Sequence, residues 1–122
     1  MPKAYKQVWK SITGVPAGDL STKRYHFVKY DANGKIVAAA AGEAAIGVLE
    51  EPNKADQPAQ VVAQGFMFVV LGGTVAAGAP VMSDAAGKAV AATGATAPAI
   101  NHVLGVMHVG GVAGDIGTIL LK

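Results

Sequence analysis

Three histidines, His26, His102 and His108, are the residues of this 122-residue chain best suited to bind a metal ion or transfer a proton. His102 and His108 are six positions apart, which matches neither the i, i+4 pair of a metal-binding helix nor the i, i+2 spacing on one face of a strand. We therefore interpret the three as ordinary surface or edge histidines. The chain has no cysteine, which excludes disulfides, thiolate metal ligands and cysteine nucleophiles.

Neither the acidic residues nor the glycine-rich segments form a pattern typical of catalysis. Glu50, Glu51 and Asp56 lie close to prolines and indicate a solvated loop, not a general acid–base pair. The segment 111–117 has glycines three apart, but it precedes a predicted strand and lacks the lysine and hydroxyl residues of a phosphate-binding loop. We predict that the protein is not an enzyme, with no catalytic residues, no metal ligands and no cofactor.

The clearest pattern in the sequence is a repeated segment. Residues 31–39 and 84–92 are 53 positions apart and are identical at seven of nine positions. Each copy begins with an Asp-x-x-Gly-Lys turn, and each is followed by an apolar-Gly-Val segment, at 46–48 and at 104–106. The second of these segments is displaced by 58 positions because the second copy holds five more residues. A repeat of this length indicates one supersecondary unit used twice.

Short strands separated by turn residues predict an all-β protein. The first strand alternates aromatic and branched residues from 25 to 30 and ends at Asn33-Gly34, a strong hairpin signal. Further strands are predicted at 35–37, 46–49, 60–64, 66–71, 81–83, 88–91, 103–107 and 116–121. This spacing favours a small β-sandwich or barrel, β-tulip-like in form, with an internal hairpin repeat.

An alanine-rich run at 38–45 has helix propensity, but the repeat indicates a loop. Its counterpart, 93–98, contains Gly94 and Pro98 and cannot form a helix. If the two copies share a structure, the alanine run is a small-residue loop or irregular strand, with a single helical turn as the alternative.

The first 18 residues differ from the rest and predict an extended N-terminal arm, followed by a single β domain at 19–122. Tyr5, Val8, Trp9 and Ile12 are spaced like one face of a short helix, but lysines lie between them and glycine and proline soon interrupt any regular structure. Because an exposed tryptophan is unfavourable, we expect the aromatic residues of the arm to contact a partner surface.

Charge and composition also point to partners. Residues 1–35 contain seven lysines and arginines against two aspartates, whereas the remainder has three lysines and six acids. The N-terminal part is therefore expected to face an acidic protein surface or a nucleic acid, with a solvated basic tail as the alternative.

Much of the apolar content is alanine, and the 16 glycines increase the entropy lost on folding, so we expect an oligomer. No apolar stretch approaches the length of a membrane helix, so we expect a soluble protein without a membrane partner.

A series of short motifs spans residues 19–122. In order, they are Asp19-Leu20-Ser21, Tyr25-x-Phe27-Val28, Asp31-x-x-Gly34-Lys35, Ile46-Gly47-Val48-Leu49, Val61-x-x-x-Gly65, Ala77-Gly78-Ala79-Pro80-Val81, Asp84-x-x-Gly87-Lys88-Ala89-Val90, Leu104-Gly105-Val106 and Gly114-Asp115-Ile116-x-x-Ile119-Leu120-Leu121. Together they resemble the head decoration, or capsid cement, proteins of tailed bacteriophages. The segment 53–58 departs from that pattern, and residues 1–10 are not explained by it.

The resemblance implies a β-rich structural protein without an active site. Such a protein binds the outside of an expanded phage head, commonly as a homotrimer, and bridges neighbouring subunits of the major capsid protein. The implied location is the outer capsid surface of the virion, after synthesis in the host cytoplasm.

We predict that residues 5–20 form the capsid contact by adding to a free sheet edge of the capsid. The predicted capsid-binding residues are the apolar anchors Tyr5, Trp9 and Ile12, and the bases Lys3, Lys6 and Lys10 that would meet acidic groups. Two other classes remain open, a β module that binds a small ligand and one that binds nucleic acid through the basic, aromatic arm. The first would normally show exposed aromatic residues on the body, and none follows Phe68; we do not expect a nucleic-acid partner.

Overall fold

The computed structural model describes residues 7–92 and 102–121, with the backbone alone for Gln7 and Trp9. These residues form nine β-strands and no helix, which confirms the all-β prediction. The strands are β1 Gln7–Gly14, β2 Phe27–Tyr30, β3 Ile36–Ala38, β4 Gly47–Glu51, β5 Ala59–Val70, β6 Pro80–Ser83, β7 Ala89–Ala91, β8 Gly105–Val109 and β9 Ile116–Leu121. Within the described ranges, no helix is long and apolar enough to cross a membrane.

All nine strands belong to one curled sheet whose strand pairs are antiparallel. The order is β3-β2-β4-β5-β9-β8-β6-β7, and β1 lies along the other edge of β5. Val62 of β5 pairs with Val48 of β4 on one side and with Ser11 of β1 on the other. Isolated parallel bridges, Pro16 to Ile36 and Leu71 to Ala89, connect the chain after β1 to β3 and the chain after β5 to β7. The sheet therefore curls as in a small barrel.

The predicted hairpin repeat is confirmed in its register. Val28 pairs with Ala38 in the β2–β3 hairpin, and the residues 53 positions later, Val81 and Ala91, pair in the β6–β7 hairpin. In the first turn the Asp31 Oδ1 accepts hydrogen bonds from the backbone N–H groups of residues 33 and 35, at 2.8 and 3.0 Å. In the second turn the Asp84 Oδ1 accepts the equivalent two bonds, both at 2.8 Å. The repeated Asp therefore closes both turns by the same local interaction.

The repeat extends well beyond the hairpins. Leu49 of β4 pairs with Val61 of β5, and the residues 58 positions later, Met107 of β8 and Ile119 of β9, pair in the same way. We call β1–β4 with residues 59–62 of β5 the first repeat, and residues 65–70 of β5 with β6–β9 the second repeat. The long strand β5 passes from one to the other.

β1 is the structural counterpart of the second half of β5. Ile12 of β1 pairs with Val61, and Met67, 55 positions after Ile12, pairs with Ile119. The apolar spacing of residues 8–12 resembles one face of a helix, but these residues are strand. This part of the predicted arm lies in the same sheet as the predicted domain of residues 19–122.

Two further strand assignments differ from the sequence analysis. The segments predicted as separate strands at 60–64 and 66–71 form one continuous strand, β5, that runs through Gly65. The strand predicted at 103–107 runs instead from Gly105 to Val109. The alanine-rich run is a loop, as predicted, and its counterpart at 93–98 lies outside the described residues.

The alanine-rich loop is held in place by Glu43. The Glu43 Oε1 accepts a hydrogen bond from the backbone N–H of Ala40 at 2.7 Å, and its Oε2 is 2.6 Å from the Lys29 Nζ. The hydrogen bond from Lys29, with that from Ala40, lowers the pKa of Glu43. The Glu43 side chain therefore orders this loop, which forms no helix in the described structure.

The apolar core consists of two clusters of unequal size. The smaller lies in the first repeat and contains Leu20, Val28, Ile36, Leu49, Ala59 and Val61. The larger contains the second-repeat counterparts of five of these six residues, Val75, Val81, Ala89, Met107 and Ile119. It also contains four first-repeat residues, Phe27, Ala39, Val48 and Val62. The second repeat therefore shares its core with one face of the first.

Backbone conformation follows the repeat even where the sequence does not. Tyr25 and Asp56 are the non-glycine residues with positive φ in the described chain, at 65° and 61°. Their counterparts, Gly78 and Gly114, have φ of 86° and 90°. The left-handed conformation is thus required at both positions in each repeat, and the first repeat adopts it without glycine.

Replacing either Gly47 or Gly105 by alanine should strongly destabilise the protein. A Cβ at Gly47 would overlap the carbonyl oxygen of Val62, and one at the equivalent Gly105 would overlap that of Leu120. We expect each variant to lose at least about 2 kcal/mol of unfolding free energy by urea denaturation, because backbone atoms must move apart. Gly18→Ala is the matched control, since its Cβ would meet open space. A Gly47→Ala protein as stable as this control would contradict the close strand packing.

The strain at Asp56 can be measured by comparing two substitutions. Both Asp56→Gly and Asp56→Ala remove the exposed ion pair with Lys35, whose Nζ is 2.7 Å from the carboxylate. Only glycine adopts the positive φ freely, so the glycine variant should be the more stable by about 1 kcal/mol, or about 4 °C in Tm. Equal melting temperatures would show that position 56 does not require the left-handed conformation.

Candidate functional site

The predicted capsid-binding residues are only partly within the described structure. Lys3, Tyr5 and Lys6 lie outside the described residues, and Trp9 is described by its backbone alone. Lys10 is exposed on β1, whereas Ile12 is half-buried against the smaller core cluster. The structure therefore places Lys10 and Ile12 on one strand but with different environments. Ile12 contributes to the fold of the first repeat.

β1 provides an edge that could receive another strand. Within residues 7–92 and 102–121, the strand that pairs with β1 is β5. From Ser11 to Gly14 the register is regular, whereas register shifts occur between Val8 and Lys10 and between Lys10 and Ser11. Bulges and lysines are features by which edge strands avoid unwanted pairing. Backbone pairing with a partner is therefore best supported by the regular half of β1.

The charge asymmetry of the sequence is partly neutralised in the fold. Arg24 and Lys29 contact the carboxylates of Glu51 and Glu43, at 3.7 and 2.6 Å. Lys35 forms the pair with Asp56, and that hydrogen bond raises the pKa of Lys35. Three of the seven N-terminal bases thus meet acids from residues 43–56. This pairing weighs against a broad basic surface for nucleic acid.

A cavity of about 210 Å³ lies between the two repeats. Its lining includes two pairs of residues that are equivalent in the repeat alignment, Ala45 with Val103 and Ile46 with Leu104. His102 is the histidine in its described lining, and no carboxylate lines it there. The cavity therefore does not bring two histidines together with an acid.

The histidines lie in three different environments. His26 is buried, and its Nδ1–H donates to the carbonyl oxygen of Arg24 at 3.0 Å. His108 packs against Phe66 with ring centroids 4.9 Å apart, and His102 is exposed. In the part of the chain that the structure describes, no group of three or more potential metal-ligating side chains is found.

Exposed apolar side chains are a surface feature that the sequence analysis did not anticipate. In the described ranges they are Val8, Val15, Tyr30, Val103, Val112 and Ile116. Their sequence signal is weak because each lies in a pattern also used by buried residues. Comparison of the two repeats could not have identified them, because equivalent positions differ in burial, as with Tyr30 and Ser83.

The fold can now be placed among known structures. No protein-family model matches the sequence, and no curated protein does. A phage head protein has a similar structure. The N base of the head fiber gp8.5 of bacteriophage phi29 superposes with a TM-score of 0.71 at 17% sequence identity, over 93% of this chain and 93% of that one. The likeness shows that the two share a fold, and the resemblance to phage head proteins is confirmed at that level.

Burial of His26 should make the stability depend on pH. Burial lowers the pKa of His26 below its ordinary value of 6.5, Lys23 and Lys88 lower it further, and the hydrogen bond to Arg24 and the charge of Asp84 partly oppose them. As the pH falls below 6.5, the unfolded chain therefore binds more protons at this histidine than the folded chain does. Stability should be lost from pH 6.5 downward, by at most about 1.4 kcal/mol per pH unit for this group.

Urea denaturation at pH 7.5, 6.5 and 5.5 measures this dependence. His26→Gln should flatten it, whereas the control His102→Gln, at an exposed position, should leave it unchanged. An undiminished loss of stability in His26→Gln between pH 6.5 and 5.5 would assign the effect to another group.

Proposed function

We propose that this protein is a structural component of a phage head that binds the outer capsid surface and bridges subunits of the major capsid protein. The observation that carries the proposal is the fold shared with the phi29 head fiber base over 93% of both chains. The ordered motifs that resemble head decoration proteins support the same role.

The described structure suits a protein that acts by adhesion. Its curled sheet is stabilised by two apolar clusters, and its cavity is small and mostly lined by apolar residues. We propose that it has no catalytic activity and no cofactor. Many copies on one head would make individually weak contacts act together.

The capsid contact is proposed to involve the N-terminal residues. Lys3, Lys6 and Lys10 would meet acidic capsid groups, and Tyr5, Trp9 and Ile12 would act as apolar anchors. Ile12 is half-buried in the free protein, so its contribution would come from the exposed part of its side chain. The regular edge of β1 from Ser11 to Gly14 would supply backbone pairing.

The proposed partners and location follow from this role. The protein would form a homotrimer, bind the major capsid protein and occupy the outside of the virion after synthesis in the host cytoplasm. We propose no membrane partner. We also propose no nucleic-acid partner, because acids within the fold pair with three of the bases, Arg24, Lys29 and Lys35.

The test is to mix purified protein with undecorated, expanded heads and to image them by cryo-electron microscopy. Ordered density on the outer surface is expected. Heads that remain bare at saturating protein would overturn the proposed function.

The N-terminal contact needs its own variants. Deletion of residues 1–18 is unsuitable because it removes β1 and the core contact of Ile12. Deletion of residues 1–6 and the substitution Lys10→Glu should each weaken head binding about tenfold, measured by co-sedimentation. Lys54→Glu, the same charge change on an exposed loop, is the control and should bind normally. Normal binding by both test variants would remove the N-terminal residues from the contact.

A further inference from the structure

The two repeats contact each other through different surfaces. The first repeat contributes what we call an insertion face, formed by Tyr25, Phe27, Val48 and Val62. The second repeat contributes what we call a receiving end, formed by Phe68, Val70, Ser83 and Gly87. Ser83 meets the first repeat beside the insertion face, at Ala39 and Gly42.

Hydrogen bonds and ring packing define this contact. The Phe27 N–H donates to the Gly87 carbonyl oxygen at 2.7 Å, and the Val70 N–H donates to the Tyr25 carbonyl oxygen at 2.9 Å. The rings of Tyr25 and Phe68 meet edge to face, with centroids 5.4 Å apart. The contact is also apolar, since Phe27, Val48 and Val62 belong to the larger core cluster.

The second repeat also has residues equivalent to the insertion face, and the first repeat also has residues equivalent to the receiving end. By the strand register, the insertion face of the second repeat consists of Gly78, Pro80, Val106 and Leu120. The receiving end of the first repeat consists of Thr13, Val15, Tyr30 and Gly34. Neither is used between the repeats in the described structure, since Pro80 and Gly34 are exposed, whereas their counterparts Phe27 and Gly87 are buried.

Burial differs sharply between used and unused surfaces. Tyr30 is 49% exposed and Val15 is 39% exposed, whereas Ser83, the counterpart of Tyr30, is fully buried. On the insertion side, Val48 and Val62 are fully buried, whereas their counterparts Val106 and Leu120 are half-buried. Apolar side chains of both unused surfaces are thus left in contact with solvent.

We propose that these two unused surfaces bind each other between copies of this chain. The insertion face of the second repeat in one copy would occupy the receiving end of the first repeat in the next, repeating the contact made within each chain. A second copy is the occupant because it presents the surface that the receiving end already accepts within the chain. The contact is head-to-tail, so the copies form a closed ring, such as a trimer, or an open chain.

Pro80 distinguishes the contact between copies from the contact within a chain. Phe27 donates a backbone hydrogen bond to Gly87, and Pro80, at the equivalent position, has no N–H to donate to Gly34. The carbonyl group of Gly78 has the position of the Tyr25 carbonyl in the repeat and would accept a hydrogen bond from the Val15 N–H of the next copy. The contact between copies is therefore weaker and reversible.

Two single substitutions test the proposal on the free full-length protein, independently of capsid binding. Tyr30→Glu places a charge on the receiving end, and Val106→Glu places one on the insertion face. Pro80→Glu is a second insertion-face variant at an exposed position, in case Val106→Glu does not fold. Val112→Glu is the control, because this valine is 55% exposed and belongs to neither surface. Thermal melting verifies that each variant is folded.

Sedimentation velocity over a concentration series is the measurement. Wild type and Val112→Glu should associate reversibly, and each test variant alone should lose at least about tenfold in association constant. An equimolar mixture of Tyr30→Glu and Val106→Glu should form one-to-one dimers, because each variant keeps the surface that the other lacks. This complementation is specific to a head-to-tail contact.

Three results would overturn the inference. The first is a wild type that stays monomeric up to about 1 mM. The second is unchanged association in both Tyr30→Glu and Val106→Glu, and the third is a loss of association that mixing these two variants does not restore. A monomeric protein that still decorates heads would overturn this inference and the proposed homotrimer, but not the proposed binding to the head. Bare heads with intact self-association would overturn only the proposed function.

Discussion

The fold depends on the burial of one face of the first repeat in the core of the second. Phe27, Val48 and Val62 are fully buried there, although they lie outside the small cluster that fills their own repeat. Repeats rich in alanine and glycine bury little apolar area individually. Joining two such repeats into one core compensates for this deficit. Association between chains, expected from composition, would extend the same solution.

This arrangement bears directly on function. A chain whose repeats join through unlike surfaces retains one unused copy of each surface, and those copies are the apolar areas around Tyr30 and Val106. The proposed head contact consists of the N-terminal bases and the β1 edge, with Lys10 exposed and Ile12 partly buried. It shares Thr13 with the receiving end, whereas Lys10 belongs only to the proposed head contact and Tyr30 and Val106 only to the proposed contact between copies. A protein with these two contacts would assemble and adhere through its surfaces.

The sequence analysis succeeded where structure is set by neighbouring residues. Both hairpins were predicted from their turn residues and the repeat, and the structure shows the Asp carboxylate closing each turn locally. The repeat also favoured a loop over a helix at 38–45. Residues 8–12 were not assigned to the sheet, since a short run with few apolar side chains fits a helical period almost as well as a strand. Only the pairing of Ile12 with Val61 resolves that ambiguity. The continuity of β5 through Gly65 was missed for a similar reason, because glycine also marks turns.

The amino-acid sequence by itself determined the all-β class and the two turns, because these depend on contacts between residues close along the chain. It also determined the duplication, which is visible as a repeated residue pattern. The tertiary structure alone decided which of two equivalent positions is buried, as with Ser83 and Tyr30. It also decided that bases at 24–35 meet acids at 43–56. The physical reason is that burial and charge pairing depend on which distant strands become neighbours, and local residue patterns carry little information about that.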